Sequence, residues 1–279
     1  MEIHPSSTVA IIQARMGSSR LPGKVLLDIG GEPMLVRVVE RARRAETLDG
    51  VMVATTEDPS DDRVVELCRD RGYAVDRGSV QDVLDRYHQA AHRQNADVIV
   101  RITADCPVID PAVIDRTVEA YFGKVKPQDK ALSQRESLHD LPPAEGPYDF
   151  AADRLPPPFR RTFPIGLDVE VCSTSVLDYA WRHAQEKHQR EHVMPYLYET
   201  NGRFNVLLVN HESDLGSLRW TVDTPEDLEL MRQVYARFDN RDSFGWTEVL
   251  ALFGREPGLA KINASVPQKS GLEAEKHVK

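Results

Sequence analysis

No apolar run in this 279-residue chain approaches the length of a membrane span. The N-terminus carries neither the charged nor the apolar region of a signal peptide, so the chain reads as soluble and cytoplasmic. Cysteine is scarce. Cys68, Cys106 and Cys172 are odd in number and far apart, which fits reduced thiols rather than a disulfide framework. No Cys/His cluster has the spacing of a zinc site. Positive charge is in deficit too: 35 Lys and Arg against 44 Asp and Glu leave a net charge of −9. That balance argues against a nucleic-acid binder, normally marked by a basic patch or stripe. It leaves room for a small-molecule enzyme whose positive charge is local.

What is present suffices for a packed core, since 41% of the residues are hydrophobic. Strand and helix patterns alternate through the first half. Strands are expected at 9–12, 51–55, 73–75 and 96–103, and helices at 34–48, 62–72 and 82–95. Gly72 supplies a stop signal. Asp110 and Pro111 open a further helix as N-cap and first helical residue. Repeated β-α units of this length predict a doubly wound, mostly parallel sheet covered by helices on both faces.

The rhythm breaks over 123–164, a proline-rich stretch read as a surface insertion or arm, with 148–152 its one plausible strand. Regular patterns resume as strands at 167–172, 204–209 and 218–222. Helices follow at 173–185, 188–199 (interrupted by Pro195), 225–238 and 247–253. Residues 1–257 thus read as one α/β domain with a β-containing arm in its second half. Residues 258–279 read as a flexible tail.

The most informative segment is Val9-Ala10-Ile11-Ile12-Gln13-Ala14-Arg15-Met16-Gly17-Ser18-Ser19-Arg20-Leu21-Pro22-Gly23-Lys24. A β-branched run feeds a loop of small residues carrying two arginines and a lysine. Small side chains leave backbone amides open to an anion, so the loop can cradle phosphates. It matches neither G-x-x-x-x-G-K-[ST] nor G-x-G-x-x-G, and a Gly/Ser loop after a strand is also an ordinary turn. Both readings stand on the loop alone.

Chemistry on a triphosphate would need a divalent metal held by hard oxygen ligands. Open α/β sheets bind ligands at the C-terminal ends of their strands. Two aspartates fit: Asp105 after Val98-Ile99-Val100-Arg101-Ile102-Thr103-Ala104, and Asp223 after Leu218-Arg219-Trp220-Thr221-Val222. Asp105 also suits a turn. Asp223 is spared from capping, because Thr224 with Pro225 fills that role. Arg77 and Gly78 remain as candidate ligand contacts once Ser79 and Asp82 are explained as a capping box. Asp168 and Glu170 alternate with apolar residues and share one face of a strand. Arg190 could bind a carboxylate or phosphate in bidentate fashion. His192 reads more readily as a structural hydrogen-bonder than as a base.

Q-A-R-M-G-S-S-R-L-P-G-K, R-I-T-A-D-C-P-V-I-D-P and R-W-T-V-D-T-P-E-D-L resemble motifs of the cytidylyltransferase family of spore coat polysaccharide biosynthesis protein F. That family is related to the enzymes that load ulosonic acids onto CMP. The resemblance spans most of 9–238 and is weakest over 123–164. It implies a nucleotide-diphospho-sugar transferase-like fold and transfer of CMP from CTP to a sugar acid, with release of pyrophosphate. The nucleotide-binding set it implies is Ala14, Arg15, Gly17, Ser19, Arg20, Lys24, Arg77, Gly78 and Asp105. Lys24, Arg15, Asp105 and Asp223 would carry catalysis, with Mg2+ on Asp105 and Asp223. Asp168, Glu170, Arg190 and His192 would line the acceptor side, and a homodimer is implied as well. A transferase using another nucleotide, a glycosyltransferase and a non-catalytic binding protein are the alternatives. No Asp-x-Asp motif after a strand supports the second, and the lysine with both aspartates disfavours the third.

Overall fold

The computed structural model describes residues 6–133, 145–156, 158–159, 161–199 and 202–267. In the first half the elements are β1 (Thr8–Gln13), β2 (Asp28–Ile29), β3 (Glu32–Pro33), α1 (Met34–Ala42), β4 (Gly50–Thr56), α2 (Asp62–Asp70), β5 (Ala74–Gly78), α3 (Val83–Arg93), β6 (Val98–Thr103) and α4 (Pro111–Tyr121). In the second half come β7 (Lys130–Ser133), β8 (Phe150–Ala152), β9 (Glu170–Ser173), α5 (Thr174–His183), α6 (Lys187–His192), α7 (Pro195–Glu199), β10 (Val206–Leu208), α8 (Pro225–Arg237) and α9 (Trp246–Arg255).

Eight strands form one sheet in the order β5-β4-β1-β6-β9-β8-β10-β7, while β2 and β3 form a small hairpin. Strands β5, β4, β1 and β6 run parallel, as do β8 and β10. The antiparallel pairings are β6–β9, β9–β8 and β10–β7, each involving a strand of the second half. The doubly wound expectation follows from strand alternation. Ala10 and Ile12 of β1 enter one core with α1, α4 and α8, while Val9 and Ile11 enter the other with α3 and α5. A strand buried on both faces must be apolar at every position, which is why 9–12 reads as a continuous run.

Local signals fixed two helix starts. Asp110 accepts from the Ala112 amide with Pro111 behind it, and Thr224 forms a capping box with Asp227. Other expectations need correction. Helix α3 is capped by Asp82, whose side chain accepts from the Asp85 amide, and Ser79 supports the Asp82 amide one turn earlier. Within 123–164 a second strand exists, β7, which pairs antiparallel with β10 at the sheet edge. Segment 134–144 of the proposed insertion, with residues 157 and 160, lies outside the described residues.

Segment 218–222 is not a ladder strand. It meets the rest of the protein through an isolated bridge between Ile165 and Arg219. Trp220 donates to the Ile165 carbonyl at 2.7 Å, and Val222 donates to the Asp105 carbonyl at 2.8 Å. Its apolar alternation serves burial rather than sheet pairing, since Trp220 and Val222 are fully enclosed. Gly166, with φ +105°, permits the approach: a Cβ there would come within 2.7 Å of the Thr221 nitrogen.

The tail expected from 258 onward is anchored through its first part. Leu259 and Asn263 are buried, and the Asn263 amide donates to Asp227 and to the Arg219 carbonyl. Residues 268–279 lie outside the described residues.

Candidate active site

The loop after β1 closes on itself. Gly23 takes φ +69° and donates to the Met16 carbonyl at 2.9 Å, and Lys24 begins a 3-10 turn, Lys24–Leu26. Asp61 braces the loop by accepting from the Met16 amide at 2.6 Å and from the Thr56 hydroxyl. Arg15, Gly17 and Ser19 are left exposed along the loop, and Ala14 is buried at its root.

Lys24 turns inward. Its Nζ donates to Asp105 Oδ2 and Asp223 Oδ1, both at 2.9 Å, and to the Val222 carbonyl at 2.8 Å. Burial pulls the ammonium down, but the two carboxylates outweigh it and the net pKa is raised. Burial likewise pushes Asp105 up. The charge of Lys24 and hydrogen bonds from Thr103 and Lys24 reverse that and hold its carboxyl below the usual range. Asp223 is held further by Arg20 at 2.9 Å and Arg219 at 2.8 Å. Arg219 also grips Asp227 through Nε and Nη2, and Asn263 reaches Asp227 Oδ1 at 2.8 Å. A buried chain of polar groups thus runs from the C-terminal segment to Asp223.

These groups border a cleft of about 700 Å³ lined by Arg20, Asp105, Arg161, Asp168, Arg219 and Asp223 among others. Arg161 engages Asp168 with two nitrogens, and Arg154 Nε stands 3.5 Å from the same carboxylate. Arg154, Arg161, Arg219, Asp227 and Asn263 were not assigned from sequence. Arg219 and Asp227 did fall inside a quoted motif, but their joint grip on Asp223 depends on the turn into α8.

Of the four residues expected on the acceptor side, Asp168 lines the cleft and the others do not. Glu170 is buried in β9 opposite Arg101 and forms an ion pair with it. The fork of Arg190 is filled by Asp82 and the Trp181 carbonyl, so it braces α3 from α6. His192 stands at the end of α6, where burial lowers its pKa. Arg77 is engaged as well, with the Thr56 and Asp58 carbonyls and Asp62. Gly78 lets the buried Arg86 pass close: a Cβ at 78 would come within 3.2 Å of that side chain. None of the Arg86 guanidinium nitrogens is hydrogen-bonded among the described residues, and burial lowers its pKa.

The cytidylyltransferase family model matches residues 9–241, from β1 through α8. The chain belongs to the cytidylyltransferase family. A solved cytidylyltransferase from Leptospira borgpetersenii is similar at TM-score 0.78 and 31% identity, over 92% of this chain and 97% of that one. Spore coat polysaccharide biosynthesis protein SpsF of Bacillus subtilis is 29% identical over 90% of this chain and 95% of its own length. A 3-deoxy-manno-octulosonate cytidylyltransferase of Anaeromyxobacter sp. (strain K) is 29% identical over 81% of this chain and 96% of its own. This chain is therefore a CTP-dependent cytidylyltransferase. No helix of its described residues is long and apolar enough to cross a membrane.

Proposed function

We propose that this cytidylyltransferase moves CMP from CTP to a sugar acid and releases pyrophosphate, and that it does so in the cytoplasm. The observation that carries the reading is the placing of Lys24 Nζ at 2.9 Å from both Asp105 and Asp223, between the phosphate loop and the cleft. The named substrate of the Anaeromyxobacter relative and the arginine-bearing wall of the cleft support an anionic acceptor.

One cation already touches both carboxylates, so Asp105 and Asp223 fit a shared divalent ion, and Mg2+ is the hard ion their oxygens suit. When bound, such an ion neutralises charge on the triphosphate and favours departure of pyrophosphate. An acceptor oxygen attacks the α-phosphorus in line. The new P–O bond forms as the bond to the β-phosphate bridging oxygen breaks, and the acceptor proton passes to solvent. Arg15, Arg20 and Lys24, with the amides near Gly17 and Ser19, hold the phosphate oxygens. Lys24 must exchange its carboxylate partners for phosphates to do so. Arg219 keeps Asp223 aimed into the cleft. Arg161 and Asp168 form the wall that orients the acceptor. Catalysis of this kind is positioning and charge neutralisation. A homodimer belongs to the same proposal, and light scattering of the purified protein checks it.

Pyrophosphate release with CTP and Mg2+ across a panel of sugar acids tests the reading. The expected result is turnover with at least one sugar acid, selective for CTP over the other three nucleotides and abolished by Asp223→Asn. Equal turnover of all nucleotides, or an unimpaired D223N enzyme, overturns it.

A further inference from the structure

Outside the cleft, α3 and α5 bring together a second set of metal-competent side chains. His88 and His92 stand four residues apart on α3, a spacing that puts both rings on one helix face. Asp178 of α5 meets them from across the helix pair. Its Oδ1 lies 3.0 Å from His88 Nε2 and 2.8 Å from His92 Nε2. The three ligand atoms all lie within 4.8 Å of one another. None of these residues lines the cleft.

We propose that His88, His92 and Asp178 form a binding site for a borderline-soft divalent cation such as Zn2+, which fastens α5 to α3. Metal–nitrogen and metal–oxygen bonds of about 2.0–2.2 Å place neighbouring ligand atoms roughly 3–3.5 Å apart. The observed His–Asp separations of 2.8 and 3.0 Å lie at or just short of that range, and no two of the three ligand atoms are more than 4.8 Å apart, so side-chain rotation can admit an ion. His88 is held in orientation by Trp181, which stacks on it at 4.2 Å with planes 7° apart, while the indole nitrogen is anchored on Asp85. Burial lowers the His88 pKa, which favours the neutral imidazole that metals require. His92 is half exposed, with 51% of its side chain accessible, so water can complete the coordination shell.

Two imidazoles and one carboxylate select Zn2+, Co2+, Ni2+ or Cu2+ over Mg2+, which prefers an all-oxygen shell. The site is thus chemically distinct from the aspartate pair of the cleft. His88 Nδ1 has no hydrogen-bond partner among the described residues. Outer-shell partners are worth about 10–100-fold in metal affinity, so binding is expected to be weaker by about that factor than at a site whose imidazoles are both anchored.

The experiment is equilibrium dialysis of the metal-stripped full chain against Zn2+ in excess Mg2+, with bound metal counted by mass spectrometry, and Tm measured alongside. About one equivalent of Zn2+ is expected on the wild type and on D105N/D223N. His92→Ala and Asp178→Asn should each lower its affinity at least tenfold. At roughly 100 times Kd, Tm should rise by about 5 °C or more in the wild type and by less than 1 °C in H92A. His92 is the exposed ligand, so its truncation opens no core cavity, and circular dichroism of H92A verifies the fold. Zn2+ binding that Mg2+ competes away, that survives H92A and D178N, or that vanishes in D105N/D223N overturns the proposal. Because the readouts are metal content and Tm, they stand apart from any failure of CTP turnover.

Discussion

Lys24 Nζ stands 2.9 Å from Asp223 Oδ1 on the cleft wall, joining residues 199 positions apart. The same ammonium stands as close to Asp105, so a single side chain bridges both carboxylates. Replacing it with a neutral group removes the proposed phosphate donor and takes from Asp105 its ion-pair partner, while Asp223 keeps Arg20 and Arg219. Lys24→Met is expected to lower kcat about 100- to 1,000-fold, the usual loss for one transition-state donor. Steady-state pyrophosphate release measures it, and a kcat within threefold of wild type would remove Lys24 from the phosphate grip.

Asn263 does not line the cleft; it supports Asp227, which supports Arg219, which supports Asp223. Asn263→Ala should therefore act as a positioning change. The Mg2+ concentration for half-maximal activity is expected to rise about tenfold, in the range known for lost outer-shell contacts. Acceptor KM should stay within twofold. A uniform loss of activity that saturating Mg2+ does not rescue would show a merely structural role.

The Lys24 cluster also sets a pH dependence. Asp105 is depressed in the folded state, so its contribution is present above its ordinary value of 3.8 and fades as pH falls through the lower folded value. Lys24 is raised, so its contribution is complete below 10.5 and fades as pH climbs through the higher folded value. The stability difference between wild type and K24M should be greatest between about pH 5 and 10 and shrink on either side. Urea midpoints across pH measure this, and a difference that stays flat down to about pH 2 would contradict the ion-pair account.

Arg161 holds Asp168 through two nitrogens on the cleft wall. Lysine cannot reproduce a bidentate fork. Arg161→Lys is expected to raise the acceptor KM about tenfold while CTP KM changes less than twofold. Equal changes in both constants would place the pair outside the acceptor wall.

Much of the fold was legible because its signals are local. The apolar run of β1, the Asp110-Pro111 and Thr224-Pro225 helix starts, and aspartates beyond strand-like runs all follow from neighbouring residues. The resemblance to cytidylyltransferases links Lys24, Asp105 and Asp223, and the structure places the lysine 2.9 Å from each carboxylate. The acceptor side was less legible. Glu170 and Arg190 carry the right chemistry for a ligand, yet Arg101 and Asp82 occupy them. Which charge finds which partner depends on sheet register and helix packing.

By itself, the sequence determined the β-α alternation, the small-residue loop after β1 and the carboxylate of Asp105 beyond β6, because hydrophobic period, capping and turn chemistry act over a few residues. Only the tertiary structure decided that 218–222 crosses beside Ile165 instead of joining the sheet, and that Asn263 returns to brace Asp227. It alone also placed Asp178 between two histidines. The reason is physical: hydrogen bonds and ion pairs act over a few ångströms. Their partners are therefore fixed by where the chain returns in space.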